Sequence, residues 1–146
     1  MQISTKTGYA VRALAELARQ PAGEPVSITA ICRRQNLPPK YIEQLFRKLK
    51  HRKLISSKHG ARGGYILNRP ASQLSLKDIM EAVEDDFSGY CCLGANSHIE
   101  YCQGSPCAFY DFWNDIRKHQ EEYFSSLKLD QVINYQETEN EANISG

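Results

Sequence analysis

The chain has 146 residues, a formal net charge of +1 and a hydrophobic fraction of 41%. This length fits one domain, or a small domain with an appended element, and needs no covalent staple to form a core. The near-zero total hides an uneven distribution. Residues 1–70 carry fourteen Lys/Arg against three Asp/Glu, whereas residues 71–146 carry four against fourteen. A half this basic predicts a module that binds a polyanion.

The first six residues lack the apolar run of a signal peptide, and no apolar stretch approaches the length that crosses a membrane. We therefore expect a cytoplasmic protein with no membrane role, in a compartment that keeps thiols reduced and disfavours disulfides. We do not expect an enzyme. The chain contains no phosphate-binding loop and no nucleophile–base pair, and its four histidines are scattered.

The first fifty residues carry the pattern of a helix-turn-helix. Apolar residues at helical spacing predict helices over about 5–19, over 28–35, and from 38 or 39 to about 51. The hydroxyl of Ser27 is placed to cap the second helix. Residues 36–38 end that helix, because Asn36 tolerates left-handed geometry and Pro38 cannot continue a helix. A proline at 38 or 39 then suits the first turn of the third helix. Because the third helix has one apolar stripe and a basic opposite face, the pair predicts a DNA-binding helix-turn-helix.

The outer face of the third helix holds side chains that we expect to contact DNA. Arg47 and Lys48 suit phosphate oxygens, and Gln44 suits a base edge in the major groove. Glu43 would accept hydrogen bonds mainly from cytosine and would therefore penalise other sites. The predicted contacts on this helix are Lys40, Tyr41, Glu43, Gln44, Arg47 and Lys48. The simpler alternative is a helix face that only meets solvent.

Two short extended segments, 54–57 and 65–67, flank the basic and glycine-rich residues 58–64. After a helix-turn-helix, this pattern predicts a hairpin that acts as a wing. Arg62 or His59 at its tip would then enter the minor groove. We assign residues 1–70 to a winged helix-turn-helix DNA-binding domain.

The acidic half predicts two further helices and a tail. Ser75 and Asp78 have capping-box spacing and open a fourth helix. Residues 109–127 form an amphipathic helix whose apolar stripe holds five aromatic residues. That apolar area predicts a partner subunit, the alternative being packing against the first helix of the same chain. We assign residues 71–134 to a second unit with a dimerisation helix, and residues 135–146 to a disordered acidic tail.

Four cysteines, Cys91, Cys92, Cys102 and Cys107, fall within seventeen residues of a Gly-, Asn- and Ser-bearing stretch. A structural zinc site usually has close pairs of cysteines, and these spacings supply no clear pair. The adjacent Cys91 and Cys92 permit a thiol–disulfide switch, while buried structural thiols explain Cys32 better than this group. An iron–sulfur cluster needs several thiolates from a pliable loop, with Cys107 as a fixed point at the start of a helix. Spacing alone favours the cluster and leaves the other interpretations open.

Residues 41–49, 54–57 and 60–65 together resemble the Rrf-type bacterial regulators, the IscR/NsrR/RirA-like proteins. The resemblance covers roughly residues 1–133, with helix, wing and cysteine stretch in the same order. It implies a homodimeric winged-helix repressor or activator whose long helices cross at the dimer interface. It also implies an iron–sulfur cluster held by three cysteines, which match Cys92 (or Cys91), Cys102 and Cys107.

The sequence departs from this family at two ligand positions. IscR-like proteins have a histidine three residues after the last cysteine, where this chain has Tyr110. Some relatives supply an acidic ligand from the first helix of the partner subunit, and the matching position here is Gly8. The fourth ligand is therefore open. The candidates are the spare member of the Cys91/Cys92 pair, His98, Tyr110 and Asp111.

The predicted fold is mainly α with a small β-wing. A winged helix-turn-helix domain is followed, within residues 71–134, by a cluster-binding loop and a long C-terminal dimerisation helix. The predicted function is an iron–sulfur-cluster-sensing regulator that binds a palindromic double-stranded operator as a homodimer. The cluster, [2Fe–2S] or [4Fe–4S], would respond to oxygen, nitric oxide or iron status, and the targets would be iron–sulfur, iron or redox-stress genes. One alternative is a metal-free regulator with a thiol redox switch, and another is a cluster or redox carrier that does not bind DNA.

Overall fold

The computed structural model describes residues 3–84 and 109–144. In chain order these residues form α1 (Thr5–Ala18), α2 (Ile28–Gln35), α3 (Pro39–His51), β1 (Ile55–Lys58), β2 (Gly64–Leu67), a 3₁₀ turn (Ala71–Gln73), α4 (Leu76–Val83), α5 (Tyr110–Ser126) and α6 (Leu129–Ile144). The first three helices begin and end within about one residue of their predicted bounds.

The local signals of the helix-turn-helix act as the sequence predicted. The Ser27 hydroxyl accepts a hydrogen bond from the backbone N–H of Ala30 at 3.2 Å, which caps α2. Asn36 ends α2 in the left-handed conformation, with φ of 50°. A proline then stands in the first turn of α3, where its missing N–H costs no hydrogen bond.

The wing is a two-stranded antiparallel sheet in which Ile55 pairs with Leu67 and Lys58 pairs with Gly64. Tyr65 also forms an isolated bridge with Val26, which precedes α2. The ring of Tyr65 meets that of Phe46 edge-on, with 4.9 Å between centroids. The wing is therefore attached to the helix-turn-helix by backbone and by side chain.

A single apolar core joins the helices and the base of the wing. Its largest fully buried side chains include Leu14, Ile31, Ile42, Phe46, Leu49, Ile55, Leu74, Ile79, Met80 and Leu129. Helices α1, α3 and α4 pack against one another, and Leu129 brings the start of α6 onto the same core. The core thus holds the helix-turn-helix on one side and leaves α5 at its edge.

The capping box at α4 is confirmed. The Ser75 hydroxyl accepts from the N–H of Asp78 at 3.1 Å, and the Asp78 carboxylate accepts from the N–H of Ser75 at 3.0 Å. Backbone hydrogen bonds then tie the start of α4 to the end of α5, from the N–H of Leu76 to the carbonyl of Leu127 at 2.9 Å. An ion pair between Lys77 and Glu121, at 3.4 Å, joins the same two helices.

The C-terminal end differs from the prediction of a disordered tail from residue 135, because α6 continues to Ile144. Residues 129–144 contain neither proline nor glycine, and Leu129 is buried in the core. Once a first turn is anchored in this way, each further residue adds a backbone hydrogen bond at little cost. Neither α6 nor any other helix within 3–84 and 109–144 combines the length and apolarity needed to cross a membrane.

Candidate nucleic-acid interface

Helix α3 presents four of its six predicted DNA contacts on one exposed face. Ile42, Leu45, Phe46 and Leu49 point into the core. The exposed members of the predicted set are Lys40, Glu43, Gln44 and Arg47. The apolar stripe fixes the rotation of the helix, so the polar positions three and four residues apart face outward together. This face combines two cations, an amide and a carboxylate, the groups that contact phosphates and base edges.

The other two predicted contacts, Tyr41 and Lys48, lie seven residues apart on one flank of α3 and are half buried. The ring of Tyr41 meets that of Tyr9 on α1 edge-on, with 5.7 Å between centroids. Lys48 Nζ donates a hydrogen bond to the carbonyl oxygen of Val83 at 3.3 Å. Both side chains are thus turned toward their own chain, which the sequence pattern did not indicate.

The wing keeps its predicted tip exposed, with His59 and Arg62 both open to solvent. Two nearby lysines instead donate hydrogen bonds within the chain. Lys58 donates to the carbonyl of Gly23 at 2.6 Å, and Lys50 of α3 donates to the hydroxyl of Ser57 at 2.8 Å. The first contact joins the wing to the segment between α1 and α2, and the second joins it to α3. Neither uses the two residues predicted to enter the minor groove.

A buried carboxylate that the sequence analysis missed fixes α2 against α1. Glu16 is only 5% exposed and pairs with Arg19 at 2.6 Å and with Arg34 at 3.6 Å. Gln35 also donates to the Glu16 carboxylate. Because a buried carboxylate needs such partners, removing them would leave its negative charge buried and uncompensated. Helical spacing alone gives no sign of this cluster, since Arg34 and Gln35 come from a different helix.

Cys32 lies in the core of the helix-turn-helix. Burial raises the pKa of its thiol above the ordinary value, and the nearby charge of Glu43 adds to the effect. The thiolate is the reactive form, so Cys32 is held in its inert form. This agrees with its prediction as a structural thiol.

The predicted metal ligands Cys92, Cys102 and Cys107 lie outside the described residues, as do Cys91 and His98. Of the other fourth-ligand candidates, Tyr110 and Asp111 are exposed at the start of α5. Gly8 is exposed on α1, where an added Cβ would meet nothing within 4 Å. Within 3–84 and 109–144, the His, Cys, Asp and Glu side chains form no group of three that could hold a metal ion.

A helix-turn-helix with an exposed polar and basic face, followed by a wing beside it, defines a winged-helix DNA-binding regulator. The chain belongs to the Rrf2 family of transcriptional regulators. The family model, described as an iron-dependent transcriptional regulator, matches residues 3–135.

Individual proteins agree with this assignment. The chain is 37% identical over 134 residues to an HTH-type transcriptional regulator of Neisseria meningitidis, covering 91% of this chain and 88% of that protein. It is 33% identical over 138 residues to the HTH-type transcriptional regulator IscR of Photorhabdus laumondii, covering 94% and 82%. Among solved structures, the chain is similar to CymR, the global cysteine regulator of B. subtilis, with a TM-score of 0.73, 30% identity and coverage of 92% and 98%. The IscR of T. potens gives a TM-score of 0.70, with 29% identity and coverage of 93% and 88%.

The comparisons confirm three predictions. The predicted resemblance to the Rrf-type regulators is confirmed by the family model and by the IscR relatives. The fold class, mainly α with a small β-wing, is that of the similar Rrf2-family structures. The relatives are named transcriptional regulators, so the chain is a DNA-binding regulator and not an enzyme.

Proposed function

We propose that this regulator senses its signal through an iron–sulfur cluster, [2Fe–2S] or [4Fe–4S], held by the cysteine segment, residues 91–107. The proposal rests on the cysteine thiols that this segment offers as ligands. Four thiols lie within seventeen residues, in a chain whose family is described as iron-dependent. Thiolates are the usual protein ligands of these clusters, so the chemistry of the donors fits the group.

Cys92 (or Cys91), Cys102 and Cys107 would hold the cluster, with the fourth position taken by one of the candidates named above. When bound, such a cluster supplies a redox-active centre whose damage or loss would report oxygen, nitric oxide or iron shortage. A coupling of about 1–3 kcal/mol between the cluster and DNA gives a response of about 5–150-fold in affinity.

The exposed face of α3 is the proposed reader of the operator. Gln44 would pair with a base edge and Arg47 with a phosphate, while Glu43 would penalise sites that offer it no donor. His59 or Arg62 would enter the adjacent minor groove from the wing. In a homodimer the two copies of α3 would reach half-sites about one helical turn, or a multiple, apart, which predicts a palindromic operator.

We further propose that α5 forms the homodimer interface. Its aromatic side chains Phe112 and Tyr123 are 58% and 62% exposed, and no residue of α5 is buried within its own chain. Apolar surface of this kind on one helix favours a second subunit. Phe112→Glu should convert a dimer into a monomer by sedimentation velocity. Lys118→Glu, at an exposed polar position of the same helix, should not.

A second candidate is a metal-free regulator with a thiol redox switch, also in the cytoplasm. It is favoured by the adjacent Cys91 and Cys92 and by the similarity to CymR, whose solved structure is described as that of a global cysteine regulator. In this case an iron-free protein would change its DNA affinity when treated with an oxidant, and peptide mapping would find a disulfide within the cysteine segment.

Anaerobic purification with visible absorption and analysis of iron, sulfide and zinc distinguishes the two candidates. The cluster proposal expects a coloured protein with comparable iron and sulfide. A colourless protein that takes up no iron on reconstitution, or that contains zinc, would refute it. DNA binding is tested independently with genomic fragments. If both Gln44→Ala and Arg47→Ala bind them as the wild type does, α3 is not the reader.

A further inference from the structure

The exposed face of α3 is bordered by a lysine that turns away from it. Lys48 Nζ lies 3.3 Å from the carbonyl oxygen of Val83 and donates a hydrogen bond to it. Lys48 is half buried, whereas Arg47 beside it is exposed. A side chain of the proposed reading helix is thus bound to the end of α4.

The acceptor gives the physical reason for this contact. Val83 is the last residue of α4 and is fully buried, and the last carbonyls of a helix have no partner within it. Helix α4 has no basic residue in its last turn, and its C-cap Glu84 is extended. The ammonium of Lys48 supplies both the hydrogen bond and the positive charge that a helix C-terminus favours.

Helix α1 holds the same end of α4 from another side. Ser4 and Thr7 both donate hydrogen bonds to the carboxylate of Glu84, from Thr7 at 2.7 Å. Thr7 is 1% exposed, so its hydroxyl has lost contact with water and depends on a protein acceptor. We call these five residues, Ser4, Thr7, Lys48, Val83 and Glu84, the α4 joint.

We propose that Lys48 is a positioning residue for DNA recognition, which sets the orientation of α3 through the α4 joint instead of contacting a phosphate. The inference rests on the proposed reading of DNA by α3. While the contacts of the α4 joint are intact, Gln44 meets the bases at one angle. Losing these contacts therefore reduces discrimination between sequences more than it reduces nonspecific affinity for DNA. Of the five residues, Glu84 directly precedes residue 85, where the stretch that leads to the cysteines begins.

Two substitutions that each remove one positive charge from neighbouring positions test this role. Lys48→Met keeps an unbranched side chain of similar length, and Arg47→Met is the matched control at an exposed position. The full-length protein, purified anaerobically, is titrated with a duplex selected by the wild type from a random-sequence pool. A scrambled duplex of equal length is titrated in parallel, and both titrations are repeated at several KCl concentrations.

Loss of one phosphate contact reduces the magnitude of the slope of log K against log salt by about 0.9 and weakens binding to both duplexes alike. We expect this result for Arg47→Met. For Lys48→Met we expect about a tenfold loss on the selected duplex, a change within about twofold on the scrambled one, and an unchanged salt slope. An equal loss on both duplexes with a reduced slope would assign Lys48 to a phosphate and overturn the proposal. Unchanged binding would overturn it as well. If Arg47→Met has no effect, the role of Arg47 in the proposed function fails, and the Lys48 comparison still decides the positioning role.

Thr7→Val tests the joint without changing the charge of the protein. It removes one hydrogen bond to Glu84 at a site buried inside the chain, and circular dichroism verifies that the variant folds. We expect about a threefold loss on the selected duplex and an unchanged salt slope. A variant that melts earlier and still binds the selected duplex as the wild type does would show that the joint does not govern recognition.

Discussion

Gly64→Ala tests how the wing is held against the helix-turn-helix. A Cβ atom at position 64 would lie 2.5 Å from both the carbonyl carbon and the carbonyl oxygen of Val26 and 2.8 Å from the backbone nitrogen of Ser27. These are main-chain atoms, so no side chain can rotate away to make room. The substitution must therefore separate β2 from the segment that leads into α2.

The loss in the free energy of unfolding follows from the contacts that the substitution would break. Tyr65 and Val26 exchange two backbone hydrogen bonds, of 2.8 and 3.0 Å, and each contributes about 1 kcal/mol net. The edge-on pair of Phe46 and Tyr65 adds about 0.5–1.5 kcal/mol. We expect a loss of about 2–4 kcal/mol, which for a chain of 146 residues lowers Tm by about 6–12 °C.

The assay is thermal unfolding of the metal-free protein followed by circular dichroism, with Gly8→Ala as the control. Gly8 lies in α1, and its added Cβ would meet nothing within 4 Å. Because alanine loses less conformational freedom in a helix, this control should stabilise the protein by about 0.5–1 kcal/mol. A Gly64→Ala protein that melts within about 1 °C of the wild type would refute the close approach of β2 to Val26.

Three further predictions concern a cap, the reader and the cysteines. Burial acts to raise the pKa of Asp78, but hydrogen bonds from Ser75 and the charges of Arg69 and Lys128 outweigh it, so this pKa lies below its ordinary value. Its contribution to stability is therefore complete above about pH 4, the pKa of an unfolded aspartate, and is lost as the pH falls through the lowered folded value. Ser75→Ala should cost about 1 kcal/mol in urea unfolding at pH 7 and less at pH 2, and an equal cost at both would contradict the coupling. Arg47→Ala should weaken operator binding with a smaller salt slope in electrophoretic shift assays. Cys102→Ser should abolish iron uptake on reconstitution while Cys32→Ser retains it, and the reverse result would place the ligand in the core.

Much of the DNA-binding half could be predicted because its signals are local. A capping serine, a left-handed asparagine and a proline in a first turn act through the backbone of one or two neighbouring residues, and the structure has Ser27, Asn36 and Pro39 in those roles. The apolar stripe of α3 likewise predicted the outward positions of Lys40, Glu43, Gln44 and Arg47. It did not predict the contacts that Tyr41 and Lys48 make within the chain. The tail was different. Its composition predicted disorder from residue 135, whereas α6 is continuous through Ile144 because its first turn is anchored in the core.

Residue types at fixed spacing were sufficient to predict the class of protein, because they define a basic half, a helix-turn-helix pattern and a glycine-rich hairpin. Which cations are exposed depends instead on how the helices pack together. Lys48 and Arg47 are equivalent by charge and adjacent in sequence, yet one binds the carbonyl of Val83 and the other faces solvent. The physical reason is that a side chain on the flank of a helix takes its partner from the element packed beside it. That partner, the end of α4, lies 35 residues away in the chain.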